Sequence, residues 1–209
     1  MAPRVHPQFQ ASLSTSSYSS SSSSSCITSK REVFTIWMKS LVMNSNGCTV
    51  FDSNGEIIYR IDNYHKKCSN KAYLMDLKGN VLSTILKKRL RMFGRWEGYS
   101  GSYCSKEDQV KPWFQVRKPF RVPNKVHYNV CVSMGSSNDS LYTIERLDGK
   151  LGCKILDQAG NVVAEMKPKQ SRFGVGLGDD VLTLTVESNV DESLIFGLIV
   201  VHGLIHHKL

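Results

Sequence analysis

Lys87, Lys88, Arg89 and Arg91 crowd one short stretch, and Arg95 follows closely. Cations at this density suit an anionic partner: a phosphoinositide head group, a membrane surface or nucleic acid. Strand alternation would put Lys87, Arg89 and Arg91 on a common face. Near an anionic membrane each Lys or Arg adds about 1 kcal/mol, so three or four give reversible attachment. The plainer alternative is a solvated barrel rim whose lysines block edge pairing. Two further basic groups stand at Lys111, Arg117, Lys118, Arg121 and Lys125, and at Lys167, Lys169 and Arg172.

No other grouping points to chemistry. The chain holds no G-x-S-x-G, H-E-x-x-H or Walker pattern. Gly174-Val175-Gly176-Leu177-Gly178 lacks a strand–loop–helix context, so a hairpin connection is preferred to a phosphate cradle. His202 and His206 have metal-ligand spacing on a helix, but one falls in an apolar run and the other at its end. Asp52-Ser53-Asn54-Gly55 faintly resembles a calcium loop without the closing glutamate. Cys26, Cys48, Cys68, Cys104, Cys131 and Cys153 are scattered singly with no C-x-x-C pair. They are expected to be free thiols in a reducing compartment, mostly acting as small core hydrophobes. Trp37, Trp96 and Trp113 are expected in the core rather than stacked on bases. A non-enzyme without metal or cofactor is expected.

Some element must position the basic residues, and the pattern around them is β. An apolar strand, an Asp, two residues, a Gly and a second apolar strand recur at Val50–Ile58, Leu74–Leu82 and Ile155–Val163. Asp bonds the backbone amides of a turn and Gly supplies positive φ, so each copy reads as a hairpin. Asp148-Gly149 marks another tight turn. Many short strands at this spacing argue for an all-β barrel or sandwich.

Residues 194–205 break the pattern, reading Leu-Ile-Phe-Gly-Leu-Ile-Val-Val-His-Gly-Leu-Ile. Asn189, Asp191 and Glu192 offer a cap and acidic charge before it, and His206, His207 and Lys208 follow. At helical spacing the apolar side chains point to every side. Such a helix belongs in a protein core or a membrane, and the run falls short of the roughly 20 residues a bilayer span needs. A helix enclosed by sheet is the expectation, with a strand as the competitor and no transmembrane span.

Net charge is +9 and hydrophobic content is 41%, enough for one cored domain in 209 residues. Residues 1–32, with the run Ser19–Ser25 and no acid before Glu32, are expected to be a disordered Ser-rich tail. A Ser-rich, acid-poor start also suits a plastid transit peptide. The folded domain is assigned to residues 33–209.

Val33-Phe34-Thr35-Ile36-Trp37-Met38-Lys39-Ser40-Leu41 resembles the opening of the plant LURP-one-related family. So does Thr49–Tyr64, followed by Leu74-Met75-Asp76, Gly79-Asn80, Lys87-Lys88-Arg89 and Trp96-Glu97-Gly98-Tyr99. Asp180-Val181-Leu182-Thr183-Leu184 and Asp191–Val201 complete the resemblance over residues 33–205. It implies a mainly β, tubby-like fold: a twelve-stranded β-barrel around a central hydrophobic C-terminal helix. It also implies kinship with tubby C-terminal domains and phospholipid scramblases, a link to plant pathogen defence, and a membrane-tethered role in transcription. Tubby domains bind phosphoinositides through basic residues near the barrel. Lys87, Lys88, Arg89 and Arg91 are the counterparts here by character and region.

The functional expectation is therefore a monomeric, non-enzymatic module that binds anionic phospholipid head groups. Its expected location is the cytoplasm, the plasma-membrane periphery and the nucleus. Direct DNA readout is not expected, because the one clear helix is buried. The alternatives are a scramblase-like lipid-handling protein and a purely structural or protein-interaction barrel.

Overall fold

The computed structural model describes residue 27 and residues 29–39, 46–63, 71–90, 93–103, 110–117, 127–132, 140–147, 151–171 and 173–206. The strands run β1 Glu32–Trp37, β2 Asn46–Phe51, β3 Ile57–Asn63, β4 Lys71–Met75, β5 Val81–Leu90 and β6 Phe93–Ser100. They continue as β7 Phe114–Arg117, β8 His127–Val132, β9 Ser140–Arg146, β10 Cys153–Leu156, β11 Val162–Pro168 and β12 Val181–Val186, followed by helix α1, Glu192–Ile205. Each strand pairs antiparallel with its chain neighbours, and β1 pairs with β12, closing a twelve-stranded barrel. Closure removes the sheet edges that would otherwise invite aggregation.

The recurrent Asp-x-x-Gly motif makes the hairpins β2–β3, β4–β5 and β10–β11. Asp52 Oδ1 accepts from the amides of Asn54 and Glu56 at 2.9 and 2.8 Å. Asp76 and Asp157 hold Asn80 and Asn161 in the same way, each backbone amide at 2.8 Å. Gly55, Gly79 and Gly160 all sit near φ +85°, a conformation that disfavours any side chain. Asp52 therefore caps a turn here. The Asp148-Gly149 turn lies outside the described residues.

Alternate residues of every strand face inward and form one apolar core, with Phe34, Val50, Leu74, Ile85, Phe114, Ile144 and Leu184 among those fully or nearly fully buried. α1 fills the space they enclose. Leu194, Phe196, Leu198, Val200, Val201 and Leu204 are all buried, although they point to every side of the helix. Phe196 meets Phe34 and Tyr59 with ring centroids 5.2 and 4.9 Å apart. Asp191 caps the helix, its carboxylate accepting from the Leu194 amide at 3.2 Å. A Cβ on Gly197 would lie 2.8 Å from the Phe114 ring, and one on Gly98 of β6 would collide with the same ring. Phe114 is thus wedged between two glycines, one on the wall and one on the helix.

The Ser-rich segment lies outside the described residues up to position 26. Ile27 already forms a bridge with Asp191, and Arg31 pairs with Glu187 at 3.1 Å. The described chain therefore engages the barrel several residues before β1. Among the described cysteines, Cys48 and Cys153 are buried. Burial raises both thiols, Cys153 to about 12, so neither is a ready nucleophile.

Candidate functional site

Because the strands alternate in direction, every second connection falls at the same end of the barrel. One rim carries the turns around Asp52, Asp76 and Asp157, together with Glu187 and Asp191 at the start of α1. Lys30, Arg31, Lys78 and Lys111 also lie at that end. The opposite rim receives Lys71, Lys87, Lys88, Arg95, Arg117 and Arg146 from the strand ends, beside the acids Glu145, Asp179 and Asp180. The C-terminus of α1 emerges at this basic rim, where the negative end of a helix dipole favours cations.

Three of these cations stand in a row. Lys88 of β5 is opposite Arg95 of β6, and Arg95 is opposite Arg117 of β7. Trp96, Gly98, Phe114 and Val116 face the core, so Arg95 and Arg117 project from the outer wall. Neighbouring strands are about 4.8 Å apart, which puts the row across about 10 Å of surface. Like charges directly opposite each other weaken a sheet. Only part of that repulsion is relieved locally: the Arg95 guanidinium pairs with Glu97, and Arg117 Nη2 donates to Gln115 Oε1 at 2.9 Å.

Glu97 is the unusual member, a carboxylate only 3% exposed on the outer wall. Residues 101–103, just after β6, turn back against β5. Tyr103 stacks on Tyr99 with centroids 3.8 Å apart, and its amide donates to Thr84 Oγ1 at 3.1 Å. Tyr99 donates its hydroxyl to Glu97 Oε2 at 2.6 Å. Burial and this bond to the carboxylate both hold the Tyr99 hydroxyl protonated, well above the usual tyrosine range. Lys71 Nζ donates to the Tyr103 carbonyl at 3.4 Å, and Lys88 Nζ lies 6.0 Å from the Tyr103 ring. The result is an aromatic floor beside a buried carboxylate, bordered by Lys71, Lys88, Arg95 and Arg117.

The expected Lys87–Arg91 cluster is therefore divided. Lys87 follows Ile85 on the core-side register of β5, its Nζ 5.4 Å from the Trp96 ring at the barrel mouth. Lys88 points to the outer wall. Arg89 shares the register of Lys87 and lies opposite Gly94. Arg91 lies outside the described residues. A strand cannot present consecutive residues to one side, so the partners of Lys88 come from neighbouring strands instead. Arg95 and Arg117 belonged to the basic groups of the sequence, and Lys71 did not. The alternation in Arg95-Trp96-Glu97-Gly98-Tyr99 is the sequence signal for the outer set. Of the second basic group, Lys118, Arg121 and Lys125 lie outside the described residues, as does Arg172 of the third.

His202 and His206 face each other with ring centroids 4.6 Å apart, near Leu151 and Arg146. Burial above all, then the proximity of His206, lowers the His202 pKa to about 4. This is the electrostatics of a neutral core histidine.

A closed antiparallel barrel filled by its own C-terminal helix defines a class of β-barrel protein. The chain belongs to the LURP-one-related family, whose pattern it matches over residues 32–203. It is 46% identical to Protein LURP-one-related 11 of Arabidopsis thaliana, over 97% of this chain and 88% of that one. It is 45% identical to Protein LURP-one-related 4 of the same plant, over 88% and 82% respectively. An X-ray structure of an Arabidopsis thaliana protein shares the fold, with TM-score 0.58, 15% identity and coverage of 86% of this chain and 93% of that one. Among the described residues no helix is long and apolar enough to cross a membrane.

Proposed function

We propose that this chain is a non-enzymatic module that holds anionic phospholipid head groups on its basic outer face and rim. The observation that carries the reading is the row Lys88–Arg95–Arg117. Cross-strand cations of like sign cost the barrel stability, and a phosphate bound between them would offset that cost. Arginine forks suit phosphate oxygens, and a lysine adds a point charge. The asymmetry between acidic and basic rims supports a preferred orientation at a charged surface. A few partly or fully exposed cations give reversible attachment, as a peripheral regulator at the plasma membrane requires. The proposed kinship with tubby domains and scramblases, and a role in plant defence, are compatible with such tethering.

Vesicle sedimentation tests the reading. The protein should sediment with phosphatidylcholine vesicles that contain phosphatidylinositol bisphosphate and remain in the supernatant with phosphatidylcholine alone. Equal behaviour with both vesicle types at low salt would overturn it.

A further inference from the structure

The hairpin between β11 and β12 uses the same turn frame as the three Asp turns, with Ser171 in the Asp position. The Gly174 amide donates to the Ser171 carbonyl at 3.0 Å, and Ser171 Oγ accepts from the Phe173 and Val175 amides at 3.3 and 3.2 Å. The residue two places after the capping side chain is Asn54, Lys78 or Ala159 in the Asp turns, and Phe173 here. The frame leaves that position in solvent. Phe173 is 92% exposed, and Val175 and Leu177 behind it are 65% and 51% exposed. Nothing in the turn requires a large apolar side chain there.

We infer that this hairpin is an apolar wedge that enters the acyl boundary of an anionic bilayer when the basic rim docks on it. The inference rests on the lipid reading above and deepens it by assigning the end of the barrel that faces the membrane. The hairpin rises from the same rim as Lys88, Arg95 and Arg117. It does so from the opposite flank, since several strands separate β11 and β12 from β5–β7 in either direction around the wall. A flat, extended anionic surface is the partner that meets both flanks at once. The acids of the hairpin, Asp179 and Asp180, stand at its base. Asp180 accepts from Trp37 Nε1 at 3.3 Å and pairs with Lys39 at 3.4 Å. Lys167, paired with Glu165 at 2.7 Å, and Lys169, whose Nζ donates to Thr35 Oγ1 at 2.6 Å, flank the base as well. Apolar tips backed by cations are how interfacial segments combine burial with attraction to anionic lipid.

The experiment uses the full chain and vesicles of phosphatidylcholine with or without phosphatidylinositol bisphosphate. In the Phe173→Trp protein, the emission above the wild-type background should shift to the blue on anionic vesicles and be quenched by nitroxide-labelled acyl chains. Phe173→Asp with Val175→Asp should melt like wild type and bind the same vesicles at least about tenfold more weakly. Wild-type binding, with an unshifted signal from the Phe173→Trp protein and an unaffected double variant, overturns the wedge and leaves the lipid reading standing. Failure of the wild type to bind anionic vesicles overturns both. Self-association that Phe173→Asp abolishes, without quenching of the introduced indole on vesicles, overturns the wedge in favour of a second copy of the chain.

Discussion

Single side chains divide here into those that serve the fold and those that serve the surface. His202 is fully buried and serves the fold. Its pKa, ordinarily near 6.5, is lowered to about 4 because burial disfavours the imidazolium. The unfolded chain therefore binds a proton in the interval between those values while the folded chain does not. This contribution is fully present above pH 6.5 and is lost progressively as pH falls toward 4, on the order of 3 kcal/mol in all. Thermal melts should show the midpoint falling across that interval, with a shallower fall in His202→Gln. Identical slopes for the two proteins would contradict the assignment. Lys88 and Arg117 serve the surface. Reversing both to Glu leaves the core untouched and removes opposed like charges, so the melting temperature should hold or rise while anionic vesicle binding drops by about tenfold or more.

At the scale of elements, the hairpins were legible in advance because their geometry is local. An Asp that caps amides and a Gly that takes positive φ specify the turn wherever they occur. The helix was legible for a related reason, since side chains pointing to every side need a wall around them. The outer face was not legible in the same way. Lys87 and Lys88 are adjacent in sequence and opposed in space, whereas Lys88 and Arg117 are far apart in sequence and share one row. Register across three strands is a tertiary fact, and composition points only to the neighbourhood. The burial of Glu97 was also hidden, because nothing in the alternation of β6 marks this outward carboxylate as buried. Gly197 shows how an element depends on its surroundings. Alanine is the better helix former by about 1 kcal/mol, yet its Cβ would lie 2.8 Å from a Phe114 ring that Gly98 prevents from retreating. Gly197→Ala should therefore lower stability by about 1–3 kcal/mol in denaturant melts. A stabilised Gly197→Ala would mean that the ring is not confined.

The whole molecule is a wall that needs its plug. The buried apolar side chains of α1 each contribute about 1.5–3 kcal/mol, and a domain's net stability is about 5–15 kcal/mol. Ending the chain before Leu194 should give insoluble or unfolded protein, and a soluble truncation with a cooperative melt would contradict the enclosed helix. With the helix committed to the core, the proposed head-group binding falls to the exterior, and the topology gathers the cations of distant sequence segments at one rim. The central claim is that this rim meets an anionic bilayer. The most direct measurement is the vesicle partition constant of the wild type and of Lys88→Glu/Arg117→Glu, taken at low and high salt on membranes with phosphatidylinositol bisphosphate. Screening shortens from about 10 Å at 0.1 M salt to about 3 Å at 1 M. Wild-type binding should therefore weaken steeply with salt, while the double variant binds weakly and with little salt dependence. Equal partition of the two proteins, or wild-type binding indifferent to salt, would contradict the account.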